Sequence, residues 1–152
     1  MKISFQWLKD LLPVTTSAED AAAVLTATGL EVEGVETVES IPGGLNGLVV
    51  GEITACAQHP NADRLQVCEV NIGEAEPLPI VCGAANARQG LRVIVATVGT
   101  TLHPTEGDSF KIKKGKIRGE VSMGMICAED EIGVGKSHDG IIELDAQWTP
   151  GT

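Results

Sequence analysis

The segment Phe110-Lys111-Ile112-Lys113-Lys114-Gly115-Lys116-Ile117-Arg118-Gly119 carries five positive charges and no acidic residue. The whole chain has only 11 Lys and Arg, so nearly half of its positive charge falls between Lys111 and Arg118. Alternate residues of a strand share a face, which sets Lys111 and Lys113 against Phe110 and Ile112. Lys114-Gly115-Lys116 reads as a turn that re-aims the rest. Lysines and an arginine in such a stripe can follow a phosphate backbone. The same pattern suits an edge strand that lysines guard against aggregation. From this segment alone the two readings stand level.

Two loops add hydrogen-bonding groups. His59-Pro60-Asn61-Ala62-Asp63-Arg64-Leu65 and Val81-Cys82-Gly83-Ala84-Ala85-Asn86 offer Asn61, Arg64 and Asn86, with Arg88 just beyond, as donors to phosphate or ribose. Each loop also reads as ordinary turn chemistry. Catalytic constellations are missing. There is no GxxxxGK[ST] loop and no HExxH, and Gly133-Val134-Gly135-Lys136-Ser137 lacks the leading glycine of a phosphate loop. Cys56, Cys68, Cys82 and Cys127 form no CxxC pair, and His59, His103 and His138 are far apart in sequence. The cysteines are therefore expected as reduced, buried thiols, with no metal site and no cofactor.

Composition restrains any nucleic-acid reading. The formal charge is −10, and outside the basic segment six Lys and Arg face 21 Asp and Glu. Phosphate binders are normally basic, because affinity comes largely from neutralising phosphates. Aromatic residues are 3%, too few for a single-strand binder that stacks bases. A folded RNA gripped through its backbone and shape needs no stacking. No apolar stretch is long enough to cross a membrane, and Met1 leads straight into Lys2-Ile3-Ser4-Phe5 without an apolar leader. The expected setting is cytoplasmic, with neither membrane nor DNA as partner.

The elements that must position these residues can be read in order. Residues 2–12 read as a short strand running into a helix capped by Ser4, with Trp7, Leu8, Leu11 and Leu12 on one face and Pro13 at its end. A second helix starts at Thr16 or Ser17, where Thr16/Glu19 or Ser17/Asp20 has capping-box spacing, and stops at Gly29. Leu30–Val38 nearly alternates apolar and acidic residues and reads as a strand. Pro42, Gly43, Gly44, Asn46 and Gly47 mark a linker. Strands are then expected near 48–57, 65–72, 78–82, 92–98, 110–117 and 140–144, with a short helix at 123–132. Residues 149–152 read as a turn-like tail. Five or six short strands in about 100 residues suggest a small barrel or sandwich.

Taken together, His59–Leu65, Ile80–Asn86, Lys116–Gly119 and Ser122-Met123-Gly124-Met125-Ile126-Cys127 resemble the tRNA-binding OB-domain family over roughly residues 40–148. Met1–Lys9 and Thr28–Glu33 resemble the opening of bacterial phenylalanyl-tRNA synthetase β subunits, an opening that free-standing modules of the family lack. The resemblance implies a mainly β chain. A five-stranded OB-fold barrel with a short helix would follow a small α+β amino-terminal segment. Residues 1–39 would be the first half of a split domain, residues 40–148 the tRNA-binding module, and residues 149–152 the start of the link back. It implies a non-catalytic fragment of a larger subunit, with ATP and Mg2+ belonging to the parent complex and the α subunit its partner in an (αβ)2 tetramer. It points to tRNA as ligand, bound weakly by the fragment alone. The residues assigned to it are Lys111, Lys113, Lys114, Lys116 and Arg118, then Arg64, Asn86 and Ser122. The alternative is a docking module that supports assembly of the subunit with little RNA contact.

Overall fold

The computed structural model describes residues 1–41 and 43–152; Pro42 of the linker signal lies outside the described residues. The chain divides into two compact units, Met1–Val38 and Glu39–Thr152.

The first unit holds two helices with well-formed ends. Helix α1 spans Phe5–Leu11, and the Ser4 hydroxyl accepts from the Trp7 N–H at 3.4 Å. Helix α2 spans Ala18–Ala27, and the Ser17 hydroxyl accepts from the Asp20 N–H at 3.1 Å. Glu19 and Asp20 in its first turn complement the positive end of the helix dipole. Gly29 stops α2 at φ 97°, with its N–H on the Thr26 carbonyl and the Leu30 N–H on the Leu25 carbonyl. This paired closure needs a left-handed residue, which glycine supplies without a Cβ clash. The strand expected at 30–38 does not form, nor does one at residues 2–4. Alternation gives a strand its faces, but a strand also needs a neighbour for its N–H and C=O groups, and no strand pairs with 30–38 among the described residues. No residue of 1–38 is buried.

Among the described residues, the second unit has ten strands: β1 Leu48–Gln58, β2 Gln66–Asn71, β3 Leu78–Cys82, β4 Arg92–Thr97, β5 Thr101–Leu102, β6 Phe110–Lys111, β7 Gly115–Ile117, β8 Glu120–Ser122, β9 Gly124–Ile126 and β10 Glu143–Leu144. The 11-residue β1 is central. Its first half pairs antiparallel with β4 (Leu48↔Ala96 to Glu52↔Arg92) and its second half with β2 (Glu52↔Asn71 to Gln58↔Gln66). A register shift between Ile53 and Ala55 lets the strand bend from one partner to the other. β3 continues the meander on β2. β9 and β10 both pair with the far side of β4. The circuit closes where the Met123 N–H reaches the Pro79 carbonyl at 2.8 Å and the Val81 N–H reaches the Ser122 hydroxyl at 3.1 Å. The path β1–β2–β3–(β8/β9)–β4–β1 is an OB-type barrel.

Inward residues of each strand fill the barrel: Ile53, Cys68, Val70, Ile80, Val93 and Val95 are fully buried. Gly51 is required there, since a Cβ on it would lie 2.6 Å from Val70 Cγ1 and 2.7 Å from Val95 Cγ2. A second cluster, Ala96, Leu102, Ile112, Cys127 and Ile132, lies under the β5–β6 ribbon.

Some expected elements change form. The strand expected at 110–117 breaks into β6 and β7, which pair with different partners. The helix expected at 123–132 shrinks to one 3₁₀ turn, Asp130–Ile132, and Gly124–Ile126 forms β9 instead. An apolar run this short suits either period. The strand at 140–144 is only β10. Residues 149–152 make a turn fixed to β1, with the Val50 N–H on the Thr152 carbonyl at 2.9 Å and the Gly151 N–H on the Val50 carbonyl at 2.8 Å. Among the described residues, no helix is long and apolar enough to cross a membrane.

Candidate nucleic-acid interface

Ile112 anchors the basic segment. Its side chain is buried in the second cluster, its N–H donates to the Thr100 carbonyl at 2.8 Å, and its carbonyl accepts from the Gly99 N–H at 2.9 Å. Burying Ile112 turns Lys111 and Lys113 outward, as strand alternation requires. Lys111, Lys113, Lys114, Lys116 and Arg118 are all exposed. None of the five forms an ion pair among the described residues.

The β7–β8 hairpin ends in a two-residue turn, Arg118-Gly119, with φ 49° and 107°. Both central residues thus take the left-handed conformations of a type I′ turn, which matches the twist of the flanking strands. Arg118 is the only non-glycine residue with positive φ among those described. A side chain there normally costs about 1–2 kcal/mol.

The loop between β1 and β2 grips this strained turn. Buried His59 accepts the Asn61 N–H on Nδ1 at 3.0 Å, so Nε2 carries the proton and donates to the Ile117 carbonyl at 3.0 Å. Asn61 Nδ2 donates to the Arg118 carbonyl at 3.1 Å, and Arg118 Nη1 returns a bond to the Asn61 carbonyl at 3.4 Å. The loop itself is braced by Gln58 Nε2, which donates to the carbonyls of Ala62 and Leu65.

The other residues assigned from sequence are spread over the barrel. Arg64 is exposed at the end of the β1–β2 loop, and no hydrogen bond or ion pair of its side chain occurs among the described residues. The Asn86 amide is occupied internally: Nδ2 donates to the Ile141 carbonyl and Glu143 Oε1, and Oδ1 accepts from the Ile141 N–H. Buried Ser122 is occupied too, accepting from Val81 and donating to the Gly124 carbonyl at 3.0 Å. Both residues tie loops to the barrel. Beside Asn86, Arg88 makes two 2.9 Å bonds to Glu143. The hydrogen bonds from Arg88, then Asn86, hold the Glu143 carboxyl below its ordinary range. Asp130, 3.0 Å from His138, raises that imidazole above its ordinary value, first by hydrogen bond and then by charge.

His59 and Asn61 gain a role that their sequence context did not separate from turn chemistry. The available signal was the joint resemblance of His59–Leu65 and Lys116–Gly119, two segments that prove to be bonded to each other. The four cysteines are free thiols. Burial pushes Cys68 and Cys82 up and carries Cys127 to about 12, which keeps them protonated. Among the described residues, no group of three or more His, Cys, Asp or Glu is disposed to hold a metal ion.

The fold and the surface together define an OB-type barrel that presents exposed, unpaired basic residues on an acidic chain. The family model described as "Putative tRNA binding domain" matches residues 48–152, and the chain belongs to that family. Over its whole length it is similar to phenylalanine–tRNA ligase beta subunits. It is 54% identical to that of Bacteroides fragilis over 153 aligned positions and 51% identical to that of Pectobacterium atrosepticum over 152. The subunit of Porphyromonas gingivalis is 54% identical over 95% of the chain. In each case the chain spans 18% of the relative's length. The expected likeness to these subunits thus extends through residues 1–38 as well as the barrel. Among solved structures, the MetRS-related protein of Pyrococcus horikoshii aligns at a TM-score of 0.49 and 20% identity, over 68% of this chain and 84% of that one.

Proposed function

We propose that the barrel binds tRNA by its backbone and shape, through Lys111, Lys113, Lys114, Lys116 and Arg118, with Arg64 as an outlying contact. The observation that carries this reading is that all five clustered charges are exposed and none is spent on an ion pair among the described residues. Ser122 serves the same surface indirectly, by tying β8 of the hairpin to β3, while Asn86 ties the loop after β3 to Ile141 and Glu143. The charge of −10 opposes RNA at long range, so binding by this chain alone is weak and strongly salt-dependent.

The wider setting belongs to the same proposal. The chain acts within the beta subunit of a phenylalanine–tRNA ligase, beside an α subunit in an (αβ)2 assembly in the cytoplasm. That parent complex uses ATP and Mg2+ to join phenylalanine to its tRNA, and this chain contributes binding rather than catalysis. Residues 1–39 act as the first half of a split domain.

Fluorescence-anisotropy titration of tRNA at low salt tests the RNA reading. Five phosphate contacts give a slope of log K against log salt of about −3.5 to −4.5. Neutralising Lys113, Lys114, Lys116 and Arg118 together is expected to abolish binding. A flat salt response, or unchanged binding after neutralisation, would favour the docking reading, in which the barrel supports subunit assembly. The acidic balance and the 3% aromatic content are the observations on that side.

A further inference from the structure

The hairpin tip poses a problem that its own sequence does not solve. Type I′ turns favour Asn, Asp or Gly at their first position, yet Arg118 sits there at φ 49°. The carbonyls of Ile117 and Arg118, at the turn, are both held from outside the hairpin, by His59 and Asn61. Gly119 supplies the second left-handed position of the turn, at φ 107°. The guanidinium is directed by the same loop, with Nη1 donating to the Asn61 carbonyl at 3.4 Å while its other nitrogens have no partner among the described residues. Arginine's planar fork suits two oxygens of one phosphate, and a fork fixed before binding loses less rotamer freedom when it binds.

We infer that the His59–Asn61 loop is a latch that positions Arg118 as a preset phosphodiester fork. Lys116 on the adjoining strand is then the next contact along the same backbone. The inference rests on the proposed tRNA reading and deepens it, because it names positioning residues and makes the tip the geometric centre of the contact. His59 and Asn61 act through Arg118 and need not touch RNA. The latch selects for backbone geometry over base identity, because the fork reads only phosphate oxygens.

A double-mutant cycle on the 152-residue chain tests this, with tRNA affinity read against salt for Asn61→Ala, Arg118→Ala and the pair. Asn61 is exposed, so its truncation spares the core, whereas replacing buried His59 risks the fold. Asn61→Ala keeps the main-chain carbonyl that Arg118 Nη1 meets and removes the Nδ2 bond to the Arg118 carbonyl, so it is expected to weaken binding roughly threefold to tenfold, the size of one lost hydrogen bond. The salt slope should fall by about one contact. The pair should bind no worse than Arg118→Ala alone, since the latch has nothing left to position. Amide exchange at Arg118, Gly119 and Glu120 should quicken in Asn61→Ala with the thermal midpoint of the barrel unmoved. Additive losses in the pair would overturn the latch, because Asn61 would then act independently of Arg118. So would an unchanged affinity for Asn61→Ala where Arg118→Ala weakens binding. Absence of tRNA binding by the unaltered chain at low salt would overturn the tRNA reading itself and the latch with it.

Discussion

Residues 1–38 and residues 39–152 follow the same local rules and reach opposite ends. Both units have correct punctuation: Ser4 and Ser17 cap helices, and glycines with positive φ close turns throughout. In the barrel the apolar residues are inside, and the backbone groups of β1 are shared between two neighbours. In the first unit Trp7 is 71% exposed and Leu11 82%, and neither helix buries a residue. Caps contribute about 1 kcal/mol each, whereas filling a core contributes several times more. Local signals therefore define where a helix begins and ends, but burial gives a unit its stability.

The largest effect that sharpens this contrast is a cavity in the barrel. Ile80→Ala removes a fully buried side chain and is expected to cost about 2–5 kcal/mol in urea unfolding. The matching truncation Trp7→Ala, on an exposed face, is expected to cost below about 0.5 kcal/mol. A comparable loss from both would erase the distinction between the units. Overpacking comes next. Gly51→Ala places a methyl against Val70 and Val95 and is expected to cost about 1–3 kcal/mol; an unchanged unfolding midpoint would show that β1 can move aside.

Ser17→Ala is smaller, about 0.5–2 kcal/mol within α2. It should speed amide exchange in Ala18–Ala27 and leave the barrel amides as they were, and joint loss of protection would show that the units unfold together. The smallest effects are titrations of exposed groups on the barrel. Folding raises the His138 value, so its contribution is complete below the ordinary 6.5 and is lost as pH rises through the folded value. Asp130→Asn should bring the NMR midpoint of His138 back down. Glu143 runs the other way: its lowered value gives a contribution present at neutral pH and lost as pH falls below the ordinary carboxylate range. Arg88→Ala should move the Glu143 midpoint upward, and no movement would remove the Arg88–Glu143 bond as its cause.

Much of this molecule was legible along the chain. The helix start at Ser4, the start of α2 to within Thr16 or Ser17, and the span of β3 follow from capping groups, glycines and alternation, all of which act within a few residues. The strand expected at 30–38 failed because alternation describes a face and not a partner. The helix expected at 123–132 failed because Met123–Cys127 is apolar at either period, and the groups that decide between them, on β3 and β4, lie at least 25 residues away in sequence. The site divides in the same way. The charge cluster at Lys111–Arg118 was visible directly. Asn86 and Ser122 were picked out as RNA donors because an exposed amide or hydroxyl and an occupied one look identical in sequence.

By itself, then, the sequence determined the helix caps, most of the strands, the basic segment and the likeness to tRNA-binding modules. These depend on residue type and near neighbours. Tertiary structure alone decided the closure of the barrel through Pro79, Val81, Ser122 and Met123, and the grip of His59 and Asn61 on a hairpin 57 and 58 residues away. Hydrogen bonds of that span depend on where separate segments meet in space, which no local pattern encodes.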